Sequence, residues 1–79
     1  MPQFPSLKAR QLRRVLERGP LLYTSAPSAD GSHTKLVSGA GYPKLNWAFH
    51  DGQSLPPGMV RTILVKQVGL TAEEALRLL

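Results

Sequence analysis

Gly31-Ser32-His33-Thr34-Lys35 is the stretch in which side chains able to do chemistry stand closest together. It offers one imidazole, a hydroxyl on each side of it, and an ammonium group two residues further on. Side chains alternate between faces along an extended segment, so a strand here points His33 and Lys35 the same way. An imidazole beside a cation, in a basic chain, suits work on a phosphodiester. RNA carries its own nucleophile, the 2′-hydroxyl. Cleavage then needs a base for that proton, a donor for the leaving 5′-oxygen, and positive charge near the phosphorane. Unperturbed histidine titrates near pH ~6.5, so His33 is the candidate general base, a role that contributes about 10²- to 10⁴-fold. The competing reading is a partly buried histidine that bonds a carbonyl at a strand end.

The supporting candidates each carry two readings. Ser32 is a phosphate or imidazole hydrogen-bonding group, or a plain turn residue. Lys35 stabilises charge on the phosphorane electrostatically, or is a solvated strand lysine. His50, next to Asp51, is a phosphate contact or secondary acid, or a turn histidine. Arg10 and Arg14, with Arg13 and Arg18, form a basic helix face that tracks RNA phosphates or receives an acidic protein. The alternative for that face is a solvated surface, partly offset by an Arg13–Glu17 pair worth about 0.2–0.5 kcal/mol. Trp47 and Phe49 are read as core, and Tyr23 and Tyr42 as the better base-stacking candidates. Two histidines and no cysteine argue against a dedicated metal site, and no cofactor motif is present.

These groups need elements to hold them. Met1 to Pro5 reads as a flexible arm, and Ser6 as the N-cap of a helix running from Leu7 to Arg18. Its buried face is Ala9, Leu12, Val15 and Leu16, and Gly19-Pro20 ends it. Leu21–Ser25, His33–Ser38 and Leu45–His50 read as strands, separated by Asp30-Gly31 and Gly39-to-Pro43 turn signals. Pro56-Pro57-Gly58 opens a second helix with Val60, Ile63, Leu64 and Val68 buried, which Gly69 ends. Thr71 to Glu74 is a capping box that starts a short last helix carrying Leu76 and Leu79. The order is α-β-β-β-α with a short C-terminal helix. Short connections imply an antiparallel three-stranded sheet packed on two helices, an α+β fold.

The chain has 79 residues and reads as one small domain over residues 1–79. A body of this size buries only roughly 60% of its unfolded surface. Ten Lys and Arg against five Asp and Glu give a net charge of +5. That surplus suits an anionic partner, nucleic acid or an acidic protein, and also lies in the range of ordinary solubility charge. The absence of cysteine excludes disulfides. No apolar run is long enough to span a bilayer, and the N-terminus lacks a signal-peptide core. The expectation is a soluble cytoplasmic protein with no membrane partner.

The element order matches the double-stranded-RNA-binding-domain-like fold, and a set of residues narrows it further. Gly31-Ser32-His33, Ala48-Phe49-His50-Asp51-Gly52, the run from Pro56 to Leu64, and Val68-Gly69-Leu70-Thr71 with Glu73-Glu74-Ala75-Leu76 occur in that order. Together they resemble the HicA family, also called YcfA-like, small ribonucleases of bacterial toxin–antitoxin pairs. The resemblance spans Leu12 to Leu79. It implies a metal-independent endoribonuclease acting on mRNA, with His33 as the catalytic residue. It also implies a hetero-oligomer with an acidic antitoxin of the HicB type. Relatives usually carry basic and amide residues before Gly-Ser-His, whereas this chain reads Ser25-Ala26-Pro27-Ser28-Ala29-Asp30. The next position, often His or Arg, is Thr34. Two further functions are compatible with the residues: a non-catalytic RNA-binding module of the same fold, and a basic protein-interaction domain.

Overall fold

A computed structural model describes residues 3–26 and 34–79. The protein is a small α+β structure with an antiparallel three-stranded sheet and three helices. Strand β1 (Leu7–Lys8) leads directly into helix α1 (Ala9–Glu17). Strands β2 (Tyr23–Ala26), β3 (Thr34–Ser38) and β4 (Leu45–Trp47) form the main sheet in the order β2-β3-β4. Strand β5 (Ser54–Leu55) pairs antiparallel with β1 as a separate ribbon. Helix α2 (Pro57–Arg61) continues as a wider π-helical segment (Thr62–Gln67), and α3 (Ala72–Leu78) follows.

The amphipathic pattern of α1 decides how the layers stack. Ala9, Leu12, Val15 and Leu16 are all buried, as their spacing predicts. Ala9, Leu12 and Leu16 join Leu21, Tyr23, Leu36, Leu45, Trp47, Leu55, Val60 and Leu64 in one hydrophobic cluster. Tyr23 pairs with Ser38, Ser25 with Leu36, and Leu36 with Leu45. Paired residues share a face, so Tyr23, Leu36, Leu45 and Trp47 turn toward the helices.

The N-terminal region departs from expectation. Within the expected arm from Met1 to Pro5, Phe4 is buried in the core. Ser6 does not cap α1: its hydroxyl donates to the Leu55 carbonyl at 3.1 Å, while β1 pairs with β5. The first amides of a helix need outside acceptors. Here Ala9 N–H donates to the Gln53 carbonyl at 2.8 Å and Arg10 N–H to the Asp51 carbonyl at 3.2 Å. The loop after β4 therefore caps α1. That is why β4 stops at Trp47 instead of reaching His50: the chain must leave the sheet to reach the helix end.

The ends of the later elements follow local chemistry. Gly69, at φ +94°, ends the π-helical segment in a conformation that costs glycine little. The Thr71 hydroxyl accepts from Glu74 N–H at 3.1 Å, and the Glu74 carboxylate accepts from Thr71 N–H at 3.2 Å, closing the expected capping box. Ala75 is the buried residue of α3 and Leu76 is partly buried, while Leu79 lies just past the helix end and is exposed. The buried stripe Val60, Ile63, Leu64 and Val68 is as expected. Its helix, however, widens: Val68 N–H donates to the Ile63 carbonyl at 3.0 Å, five residues back. No helix among the described residues is long and apolar enough to cross a membrane.

Candidate nucleic-acid interface

Strand parity assigns the outward groups. Leu36 faces the helices, so Lys35 faces the opposite way, and it is exposed. Across the ladder Lys35 stands opposite Ala26 on one side and Asn46 on the other. Thr24 and Val37 form the adjacent pair on the same face. At the centre of the open face stands the Lys35 ammonium group, flanked across the ladder by the small or uncharged side chains of Ala26 and Asn46. Lys35 forms no ion pair among the described residues. An anion placed there meets positive charge without competition from a described carboxylate on the same face.

His33 and Ser32, the centre of the expected site, lie outside the described residues. Of the Gly31–Lys35 stretch, Thr34 and Lys35 are described: Thr34 is paired with Trp47 on the inner side, and Lys35 is turned outward. Its exposure on the open face is the geometry that a site on this side of the sheet requires.

Arg10 and Arg14 are exposed on the side of α1 turned away from its buried stripe. Arg18 follows, its Nε donating to the Arg14 carbonyl at 3.3 Å. Helix α1 covers the inner side of the sheet while Lys35 occupies the outer side, so the arginine face and Lys35 form two separate basic surfaces. Arg13 belongs to neither. It lies at the helix–sheet junction, where it donates to the Ser25 hydroxyl and pairs with Glu17 at 3.5 Å.

His50 is exposed in the turn after β4, where its carbonyl accepts from Gln53 N–H at 2.9 Å. The backbone bond from Arg10 to Asp51 ties this turn to the start of α1, so the fold brings His50 to the Arg10 end of the arginine face. Sequence reasoning had no ground to join them, because the two positions are far apart in the chain. It also missed Lys8 in the same region, whose Nζ donates to the Ser54 hydroxyl at 3.0 Å and the Gly52 carbonyl at 3.4 Å. The alternation around Leu36 and Leu45 is the signal that could have placed Thr24 and Asn46 beside Lys35. No comparable signal marks Lys8.

No family model, curated protein or solved structure matches the chain.

The aromatic residues divide by depth. Trp47 is buried and meets Phe49 edge-to-face, with ring centroids 5.1 Å apart at 82°. Tyr23 is fully buried, which removes it as a base-stacking candidate. Its hydroxyl donates to the Pro43 carbonyl at 2.6 Å. Burial, and then the neighbouring Tyr42, push its phenol above the usual value of 10.0. Tyr42 is partly exposed and stays open to stacking.

Proposed function

We propose that the chain is a metal-independent endoribonuclease of the HicA type, acting on mRNA in the cytoplasm and neutralised by an acidic HicB-type antitoxin. The observation that carries this reading is the position of Lys35. It stands exposed at the centre of the open sheet face, two residues after Gly31-Ser32-His33 in the chain. The run of helix, three antiparallel strands and helix supports a double-stranded-RNA-binding-domain-like fold, as the resemblance implies.

In this reading His33 takes the 2′-hydroxyl proton, the freed oxygen bonds the adjacent phosphorus, and the P–O5′ bond breaks as the 5′-oxygen takes a proton from water. Ser32 bonds a phosphate oxygen. Lys35 supplies positive charge as negative charge builds on the phosphorane. Arg10, Arg14 and His50 hold a more distant part of the RNA or the antitoxin.

The test is expression of wild type and His33→Ala in a bacterial host, with growth and full-length mRNA followed together. Arrest with mRNA loss only in the wild type is the expected result. Equal arrest and equal mRNA loss by both would sink the assignment. A second reading, a non-catalytic RNA-binding module, is favoured by one observation: two basic surfaces are exposed that need no chemistry from His33. RNA binding without cleavage by the purified wild type would select it. Binding to an acidic protein alone would select a protein-interaction domain.

A further inference from the structure

Strand β4 is an outer strand of the main sheet, and its free edge adjoins a groove of about 400 Å³. Leu45, Trp47 and Phe49 line one wall, and Met59, Thr62 and Gln67 of the helical layer line the other. Among the described residues, no loop or turn backbone group bonds to residues 45–47. Trp47 is only 4% exposed, yet its indole Nε1 has no hydrogen-bond partner among the described residues. Buried N–H groups are rarely left in that condition. None of the lining residues is acidic. Exposed Lys44 precedes Leu45, and exposed Lys66 precedes Gln67.

We propose that this groove receives an extended polypeptide segment of alternating apolar and acidic residues from a partner chain, which adds to β4 as a fourth strand. A strand bonds the unpaired edge through its backbone. Its period of two sends alternate side chains into the apolar groove. The other side chains point to the outer side of the sheet, where carboxylates meet Lys44, exposed just before Leu45. An oxygen of the incoming segment accepts from Trp47 Nε1. A docked helix or a small apolar molecule leaves the β4 edge unpaired. A nucleic-acid strand finds no cation on the groove walls. The inference uses none of the residues assigned above to RNA, so the two readings stand or fall separately.

The experiment is selection of a random twelve-residue peptide display library on the full chain, followed by synthesis of the enriched peptides. Trp47 is the sole tryptophan, so its emission reports the groove directly. The expected peptides alternate apolar and acidic residues, shift Trp47 emission, and slow amide exchange along β4. Met59→Glu adds a carboxylate to the helical wall and is expected to weaken them at least tenfold. Thr62→Trp fills the groove and provides a second, uncharged block. The inference is overturned if no peptide is enriched. It is also overturned if enriched peptides leave Trp47 emission and β4 exchange unchanged, or bind both folded variants as tightly as wild type.

Discussion

The two faces of the three-stranded sheet are built from the same strands and obey opposite demands. On the inner face Tyr23, Leu36, Leu45 and Trp47 are buried against the helices. On the outer face Thr24, Lys35 and Asn46 are exposed, and Ala26 and Val37 partly so. Successive residues of β3 thus face the core and solvent in turn. In a chain this small there is little core to spare, so the inner face gives its buried positions to apolar side chains, with Ser25, Thr34 and Ser38 around them. The other face is then free to carry charge at slight structural cost.

The sharpest way to break this comparison is to truncate neighbours on β3. Leu36→Ala removes a fully buried side chain and is expected to cost about 2–5 kcal/mol. Lys35→Ala is expected to stay within about 0.5 kcal/mol of wild type. Urea unfolding of both variants decides it. Similar midpoints for the two would mean that the faces are not divided as described.

Tyr23 tests the inner face by titration. Its phenol is held above its ordinary value, so the folded state binds that proton more tightly than the unfolded state. The contribution is fully present below pH ~10, the unfolded value, and is lost as pH rises through the higher folded value. Wild type is therefore expected to lose stability steeply above that point, and Tyr23→Phe to lose less. At neutral pH Tyr23→Phe should cost about 0.5–1.5 kcal/mol, through the lost bond to Pro43. Unfolding curves from about pH 7 to beyond pH ~10 give both numbers. An unchanged alkaline slope in the variant would assign the loss to other groups.

Periodicity makes the inner face legible, because burial repeats with the period of each element. The stripes of α1 and of the Val60-to-Val68 helix follow from the spacing of apolar residues alone, and the Thr71–Glu74 box from its residue types. Long-range backbone demands are not legible in this way. Nothing local says that residues 51–53 must turn back to satisfy the amides of Ala9 and Arg10, or that Leu7 pairs with Leu55. Tyr23 departs from expectation for a related reason: closeness to a turn says nothing about depth, and its hydroxyl found a partner in the Pro43 carbonyl. At the candidate site, the grouping of chemistry-bearing types at Gly31–Lys35 is visible in the sequence. The separation of Lys35 from Arg10 and Arg14 is not, since it depends on which side of the sheet α1 covers.

That separation leads to a comparison of the two basic surfaces. If RNA lies across α1, Arg10→Glu with Arg14→Glu should lower the salt-dependence slope of RNA binding by about 2. If it lies on the open sheet face, Lys35→Ala should lower the slope by about 1 and the arginine changes should matter little. Fluorescence titration of a short single-stranded RNA from about 50 to about 200 mM salt separates the two. Loss in both variants would mean that one RNA wraps from face to face. No loss in either would mean that RNA uses neither surface.

The smallest expected effect is the most selective. Glu17 sits on α1 at 46% side-chain exposure and pairs with Arg13. Removing its charge forfeits an i,i+4 pair worth about 0.2–0.5 kcal/mol. The same change removes a negative charge from the last turn of a helix, where negative charge is unfavourable by a comparable amount. The two contributions oppose each other, so Glu17→Gln should fold within about 0.5 kcal/mol of wild type. For binding they do not oppose, because the substitution simply raises the local positive charge beside Arg10 and Arg14. If α1 carries the RNA, the variant binds more tightly at low salt, and the gain fades as salt rises. If Lys35 and its open face carry the RNA, affinity stays put, because the helix and the sheet stand between Glu17 and the ligand. One conservative substitution with nearly neutral stability thus reports which of the two surfaces the nucleic acid uses.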